Sequence, residues 1–174
     1  DDLVVTGGGL QRQPALAQVQ ITTATTTPIA TGTASGGAAA NVEITSAGSI
    51  TIAATAGATA ATINSNNTLT NAGAITITDS NTSTNVRIAN NVTGGYTGAG
   101  QINNTEDYTR TDADNDADLD GALALGNGRT GLLVDSGGTL NGNINLGSGS
   151  AINVEGNNTA GVSIQSILNG NYTQ

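Results

Sequence analysis

The chain has 174 residues, of which 36% are apolar, and it contains no His, Cys, Trp, Met or Phe. It therefore lacks the usual general base, a thiolate nucleophile, disulfides and the commonest zinc ligands. The net charge is −9, and the basic residues are four scattered arginines: Arg12, Arg87, Arg110 and Arg129. Because phosphate binding requires a basic stripe, we expect no nucleic-acid partner, and we predict no enzyme and no catalytic residue.

Residues 1–40 are rich in Thr, Ala and Gly. The N-terminal sequence has neither the charged start nor the apolar run of a signal peptide, so we expect a processed product or a piece of a larger protein. Residues 18–21 alternate polar and apolar side chains, which is typical of a strand. Residues 22–40 are low in complexity, and they are either a flexible linker or a Thr-rich outer face of the scaffold.

Residues 41–104 carry the pattern of short β-strands. Residues 41–52 read NVEITSAGSITI and residues 72–78 read AGAITIT, which is the alternation of a half-buried strand. Asn and Gly pairs between such segments tolerate the left-handed backbone of tight turns. No segment has apolar residues at helical spacing with caps. We therefore predict an all-β protein with almost no helix.

An internal repeat indicates how these strands are arranged. AGSITI begins at Ala47, AGAITI at Ala72 and AGQINN at Ala99, so successive motifs are 25 and 27 residues apart. Repeats of this length are typical of solenoids or propellers, and the aromatic signatures of propellers are missing. We predict a right-handed parallel β-solenoid with coils of about 20 to 27 residues. An antiparallel β-sandwich is the alternative.

The solenoid interior is expected to consist of stacked aliphatic side chains. We predict that the following residues point inward: Ile44, Ile50, Ile52, Ile63, Ile75, Ile77, Val86, Ile88, Ile144, Ile152, Val154, Val162 and Ile164. The coils occupy residues 41–104 and 132–174. An acidic loop at residues 105–131 interrupts them within one continuous domain.

The acidic window, residues 106–120, holds seven of the thirteen acidic residues and has only Arg110 in opposition. Three aspartates at alternate positions, followed by Gly121, match the first half of a calcium loop, in which side-chain oxygens converge before a sharp turn. The twelfth position of that loop is Asn instead of Glu, and an overlapping triplet of aspartates begins four residues earlier. The alternative is a solvated acidic loop. The predicted calcium ligands are Asp112, Asp114, Asp116, Asp118, Asp120 and Asn127.

Gly126, Gly128 and Gly131 match the GxGxxG pattern of dinucleotide-binding proteins. In those proteins the pattern follows a strand and opens a helix. Here it leads into the strand-like segment LLVDSGG, so we interpret these glycines as turn residues.

Residues 142–146, 150–154 and 160–164 are further short strands separated by Asn and Gly turns. The acidic stretch running into GNGRTG, and the segment GSAINVEGNNTAGVSI at residues 149–164, resemble autotransporter passenger domains of Gram-negative bacteria. The resemblance covers residues 107–171 and implies a secreted β-helix displayed at the bacterial cell surface. It also implies a non-enzymatic structural or adhesive function, with other surface or matrix molecules as partners.

A second functional class stays open. No stretch approaches the ~18 consecutive apolar residues of a membrane-spanning helix, so we expect no membrane insertion by this segment. A solenoid has unpaired strand edges at its ends, and the sequence ILNGNYTQ contains no charged cap. A self-assembling subunit of an extracellular filament or biofilm matrix fibre, joined head to tail as a homo-oligomer, is therefore the alternative.

Overall fold

The computed structural model describes residues 3–6, 9–12, 18–108, 110–121 and 124–174, with side chains from residue 18 onward. All regular secondary structure in these residues is β, and they include no helix that is long and apolar enough to cross a membrane. The strands are β1 (Leu3–Thr6), β2 (Gly9–Arg12), β3 (Gln18–Ile21), β4 (Ala24–Thr25), β5 (Ile29–Ala30), β6 (Asn41–Ile44), β7 (Ser49–Ala53), β8 (Thr59–Ile63), β9 (Leu69–Asn71), β10 (Ala74–Thr78), β11 (Thr84–Ile88), β12 (Tyr96–Gly98), β13 (Gln101–Thr105), β14 (Thr130–Val134), β15 (Thr139–Leu140), β16 (Ile144–Leu146), β17 (Ala151–Val154), β18 (Ala160–Ile164), β19 (Ile167–Leu168) and β20 (Tyr172–Thr173).

Three parallel sheets make up the body of the molecule. Sheet 1 has the order β3-β6-β9-β12-β16-β20, sheet 2 the order β4-β7-β10-β13-β17, and sheet 3 the order β5-β8-β11-β14-β18. The chain passes through sheets 1, 2 and 3 in turn, and each such passage is one coil, starting with β3–β5 as coil 1. The result is a parallel β-solenoid of about six turns, which confirms the predicted fold and excludes the antiparallel sandwich. The two small sheets are the antiparallel pair β1–β2 and the parallel pair β15–β19.

The sequence repeat coincides with the stacking of sheet 2. Ile50 pairs with Ile75, and Ile75 pairs with Ile102, so the three motifs lie directly above one another. The glycine of each motif is required by this stacking. A Cβ at Gly73 would overlap the carbonyl oxygen of Gly48, and a Cβ at Gly100 would overlap that of Gly73. The invariant glycine therefore lets the backbones of successive coils approach each other.

Most of the predicted inward positions are buried. Nine of them are buried: Ile44, Ile50, Ile52, Ile63, Ile75, Ile77, Val86, Ile88 and Ile144. Ile152, Val154 and Val162 are partly buried, and Ile164 is 40% exposed. Ile164 pairs with the buried Val134, but its strand β18 is an end strand of sheet 3, so no described coil covers its other side.

Residues 18–30 form the first coil of the solenoid. β3, β4 and β5 pair in parallel with β6, β7 and β8. The alternation seen in residues 18–21 therefore belongs to a strand of sheet 1. The turn that follows is closed by an isolated antiparallel bridge between Ser35 and Ala38, and Ala40 is fully buried where the chain enters coil 2.

Candidate functional site: the acidic insertion and its neck

The corner between sheets 2 and 3 is short in four coils and long in one. It consists of residues 26–28 in coil 1, 54–58 in coil 2, 79–83 in coil 3 and 155–159 in coil 5. In coil 4 the same corner, between β13 and β14, consists of residues 106–129. The acidic window therefore lies in a segment that the other four corners lack.

Hydrogen bonds to the adjacent coils show which residues of this corner are extra. Thr82 N donates to Asn127 O (2.8 Å), and Gly128 N donates to Asn157 O (2.9 Å). Asn127 is also bridged to Asn157, so residues 127–129 continue the regular corner. Glu106 follows β13 directly and continues it from the other side. We call residues 107–125 the insertion, and Glu106, Gly126 and Arg129 the neck.

Arg129 is the largest fully buried side chain among the described residues, with 1% of its surface exposed. It occupies a position of the corner that Ser83 holds in coil 3, and Ser83 is also buried. Its guanidinium donates from Nε to Ser80 O (3.1 Å) and from Nη1 to Glu155 O (3.1 Å). Nη1 also forms an ion pair with Glu106 Oε2 at 3.2 Å. One buried cation thus joins coils 3, 4 and 5.

Glu106 closes the insertion from the other side. Its Oε2 accepts hydrogen bonds from Leu125 N (2.9 Å) and Gly126 N (2.7 Å) in addition to that from Arg129. Its own backbone N donates to Glu155 Oε2 (2.9 Å). Glu106, the residue before the insertion, therefore holds the last residue of the insertion and Gly126 through one carboxylate oxygen. Burying a charge is costly unless the charge is paired and hydrogen-bonded. The contacts of Arg129 with Glu106, Ser80 O and Glu155 O offset this cost.

Arg87, in β11 of sheet 3, provides a contrast to the neck pair. It pairs with Asp135 through Nη2 at 2.8 Å, but its side chain is 51% exposed. The hydrogen bond to Asp135 and the charge of that carboxylate raise the pKa of the Arg87 guanidinium. Exposed pairs of this kind contribute little to stability because water screens them. The neck pair differs in its arginine: the side chain of Arg129 is 2% exposed, whereas that of Glu106, at 18%, is about as exposed as that of Asp135, at 19%.

Polar side chains surround the neck inside the solenoid. Ser83 Oγ donates its hydroxyl proton to Ser80 O (2.7 Å) and lies 3.1 Å from Asn104 Oδ1, and both Ser83 and Asn104 are fully buried. Asn85 Nδ2 donates to the carbonyls of Ile75 and Asn103, whereas its buried Oδ1 has no hydrogen-bond partner among the described residues. The interior beside this corner is therefore polar, whereas most of the core consists of stacked aliphatic side chains.

The predicted calcium ligands do not all converge. Asp112, Asp114 and Asp116 each contribute a carboxylate oxygen, and these oxygens lie within 4.8 Å of one another. Asp118 and Asp120 are not in that group. Asn127 belongs to the solenoid corner, where its Oδ1 accepts a hydrogen bond from Asn158. The geometry thus favours the overlapping triplet of the sequence pattern over the triplet that precedes Gly121.

Local hydrogen bonds explain the shape of this part of the insertion. The Asp112 carboxylate accepts from the backbone N of Asp116 (3.2 Å) and of Ala117 (3.1 Å). Asp120 Oδ2 accepts from Ala113 N (2.7 Å), and Thr111 and Asp120 form an isolated antiparallel bridge. The aspartates therefore serve first as backbone acceptors that close the loop on itself. Their remaining lone pairs are available to a cation.

The sequence predicts that the glycines of the GxGxxG pattern are turn residues, which holds for Gly126 and Gly128 in the corner, whereas Gly131 lies within a strand. Gly128 has a φ of +70°. Gly131 lies inside β14, where a Cβ would be 2.6 Å from Gly161 O. No helix follows them among the described residues. The geometry is that of a solenoid corner and provides no helix N-terminus for a pyrophosphate.

The outer faces carry ladders of amide and hydroxyl groups. Side chains at equivalent positions of successive coils hydrogen-bond to each other along the solenoid axis. These contacts are Asn153 Nδ2 to Asn103 Oδ1 (2.8 Å), Asn169 Nδ2 to Asn141 Oδ1 (3.0 Å) and Thr173 Oγ1 to Asn145 Oδ1 (2.9 Å). Such ladders give some of the Asn and Thr residues a structural role on the outer faces.

Comparison with known protein families, with curated proteins and with solved structures finds no match to this chain.

Proposed function

We propose that this chain is a passenger-type β-solenoid segment of a secreted, non-enzymatic surface protein of a Gram-negative bacterium, of the autotransporter kind. Its role is to extend from the cell and to make adhesive or structural contacts with other surface or matrix molecules. The observation that carries the proposal is a rod of stacked parallel coils from which one corner, the insertion, departs. The resemblance of residues 107–171 to passenger domains supports the same reading.

The insertion is the part of the rod best suited to contact another molecule. Its described residues include three of the large apolar side chains that are exposed: Tyr108 (40%), Leu119 (53%) and Leu125 (73%). Exposed apolar side chains that are rimmed by charge are typical of interaction surfaces. We therefore assign the adhesive contact to the insertion and the spacing role to the coils.

Bead adhesion tests this proposal. Beads coated with the purified chain are passed over Gram-negative cells and over immobilised extracellular-matrix proteins, and retention under flow is measured. The matched control replaces residues 107–124 with a short Gly-Ser-Gly-Ser linker and keeps every coil. We expect retention by the intact chain and much less by the control. Equal retention of both, or retention of neither, contradicts an adhesive role for the insertion.

The alternative function, a self-assembling fibre subunit, is favoured by one separate observation. Large apolar side chains are exposed at the end of coil 5 and just after it: Ile164 (40%), Ile167 (69%) and Tyr172 (39%). They lie beside an open cavity of about 420 Å³ lined in part by Ile152, Val162 and Tyr172. Either a following coil or a second copy docked head to tail could cover this surface with the same coil-on-coil contacts that stack the solenoid. Electron microscopy of the purified chain separates the two functions: regular fibres support the subunit, and uniform single particles support the passenger segment.

We also propose calcium as a ligand of the insertion. The three clustered carboxylates of Asp112, Asp114 and Asp116 support this, since oxygen-rich sites with several carboxylates are what calcium prefers. Extracellular modules bind calcium with dissociation constants of about 10⁻⁴ to 10⁻³ M, so such a site would be relevant only outside the cell. Metal binding at this loop would offset the repulsion among its like charges.

A further inference from the structure

We infer that Glu106 and Arg129 hold the chain together at the base of the insertion, so that the residues of the insertion can be replaced without unfolding the solenoid. We call this pair of residues the latch. The solenoid fixes the two ends of the insertion, whatever sequence lies between residue 107 and residue 124. This inference concerns how the insertion is held and does not depend on what it binds.

The latch is built from parts of the solenoid. Arg129 is held by the carbonyl oxygens of Ser80 in coil 3 and Glu155 in coil 5, neither of which belongs to the insertion. Its third partner, Glu106, precedes the insertion and is itself bound to Glu155 through its backbone N. The guanidinium therefore keeps its position independently of the acidic residues further out.

The same carboxylate holds both ends of the insertion. Glu106 Oε2 accepts from Leu125 N and Gly126 N, so the chain leaves the coil and returns to it at one point. Two further bonds secure the flanks: Asp107 N donates to Asp79 Oδ1 (2.8 Å), and Asn127 N donates to Asn81 Oδ1 (2.9 Å). Coil 3 thereby holds the chain on each side of the neck.

The insertion contributes little to the core in return. None of its described residues, 107–108, 110–121 and 124–125, is buried, whereas Gly126 and Arg129 of the neck both are. The coils on either side keep their register, because Thr78 pairs with Thr105 and Thr84 pairs with Thr130. The contacts that close this corner are therefore made by residues of the coils and the neck, and not by the insertion.

A two-by-two set of full-length variants tests the latch by thermal melting. One change replaces residues 107–124 with a Gly-Ser-Gly-Ser linker, and the other is Glu106→Gln, which leaves Arg129 as an unpaired buried cation. We expect the linker variant to melt within about 4 °C of the wild type. We expect Glu106→Gln to lower the melting temperature by more than the linker does. The decrease should be similar in the wild type and in the linker variant, because the latch acts without the insertion.

Asp135→Asn is the matched control, since it removes the exposed Arg87 pair, and it should shift melting far less than Glu106→Gln. Hydrogen exchange of the Gly126 amide in the linker variant is a second measurement that does not require Glu106→Gln to fold. Protection equal to that in the wild type supports the latch. An unfolded linker variant, an unprotected Gly126 amide, or a Glu106→Gln effect that vanishes in the linker background overturns it.

Discussion

Gly126 lies directly against the guanidinium of Arg129, so that a Cβ added at Gly126 would overlap its carbon Cζ. The guanidinium cannot move aside without losing its bonds to Ser80 O and Glu155 O. We predict that Gly126→Ala lowers the free energy of unfolding by about 1–3 kcal/mol, as overpacking does elsewhere. Urea unfolding measures the change. Gly161→Ala is the control, because its Cβ would meet only Ile152 Cγ2 at 3.8 Å. Equal stabilities of the two variants would contradict the contact.

Thr82 adopts a backbone conformation that suits glycine better. Its φ is +55°, and the equivalent residues in coils 2 and 4, Gly57 and Gly128, have φ values of +74° and +70°. The left-handed conformation costs an L-residue about 1–2 kcal/mol, and glycine loses about 0.5–1 kcal/mol through its flexibility in the unfolded chain. We therefore predict that Thr82→Gly stabilises the protein by roughly 0.5–1 kcal/mol. Chemical denaturation measures the change in the free energy of unfolding. Thr84→Gly in β11 is the control, and we expect it to destabilise the protein. A loss of stability in Thr82→Gly would refute the strain argument.

The sequence predicted the architecture because one sheet repeats its residues almost unchanged. Sheet 2 stacks Ile50, Ile75 and Ile102 behind a glycine, and this identity is visible as a motif. Sheet 1 instead stacks Leu69 on Tyr96 and Tyr96 on Ile144. Interior columns require only similar volume and apolar character. The strands of the other two sheets therefore show no recognisable sequence repeat, although they stack in the same way.

The neck could not be predicted from the sequence. Glu106 and Arg129 are 23 residues apart, and neither lies in a motif that names its partner. Their proximity arises because the chain leaves and re-enters the same corner, which is a property of the coil and not of the intervening residues. In the sequence, Glu106 is one of seven acidic residues in the acidic window, and Arg129 is one of four scattered arginines, so nothing there indicates that they pair. One available signal was GNGRTG, in which an Arg stands in a Gly-rich turn before an apolar strand.

Tyr96 should make the protein sensitive to alkaline pH. It is 1% exposed, and burial raises the pKa of its hydroxyl, although the hydrogen bond from Asn71 Nδ2 (3.3 Å) partly lowers it. The native state therefore holds this proton more tightly than the unfolded state, in which the pKa is about 10. The contribution is fully present below about pH 10 and is lost as the pH rises through the native pKa.

We accordingly predict that the urea midpoint of the wild type falls between pH 9 and pH 11. Tyr96→Phe should show a smaller fall, because Phe has no proton to lose, while Tyr108 and Tyr172 remain in both proteins as an internal control. A fall of equal size in the wild type and in Tyr96→Phe would show that another group is responsible.

Calcium should stabilise the chain if the clustered aspartates bind it. The carboxylate oxygens of Asp112, Asp114 and Asp116 converge to within 4.8 Å in the folded insertion, and ligands that converge only in the folded state couple metal binding to stability. With a dissociation constant of about 1 mM, ~10 mM calcium would add about 1.4 kcal/mol. Melting should therefore shift upward with calcium and return with a chelator.

Two double variants show which aspartates matter. Asp114→Asn with Asp116→Asn removes two of the three clustered carboxylates, and we expect it to abolish the calcium shift. Asp118→Asn with Asp120→Asn removes the same charge from outside the cluster, so it should retain most of the shift if convergence governs binding and not net charge. Loss of the shift in both variants would indicate that overall charge is the cause. If neither calcium nor a chelator changes the melting temperature of the wild type, the aspartates do not bind calcium. They then serve only as acceptors for backbone N–H groups in a solvated loop, as Asp112 does for Asp116 and Ala117.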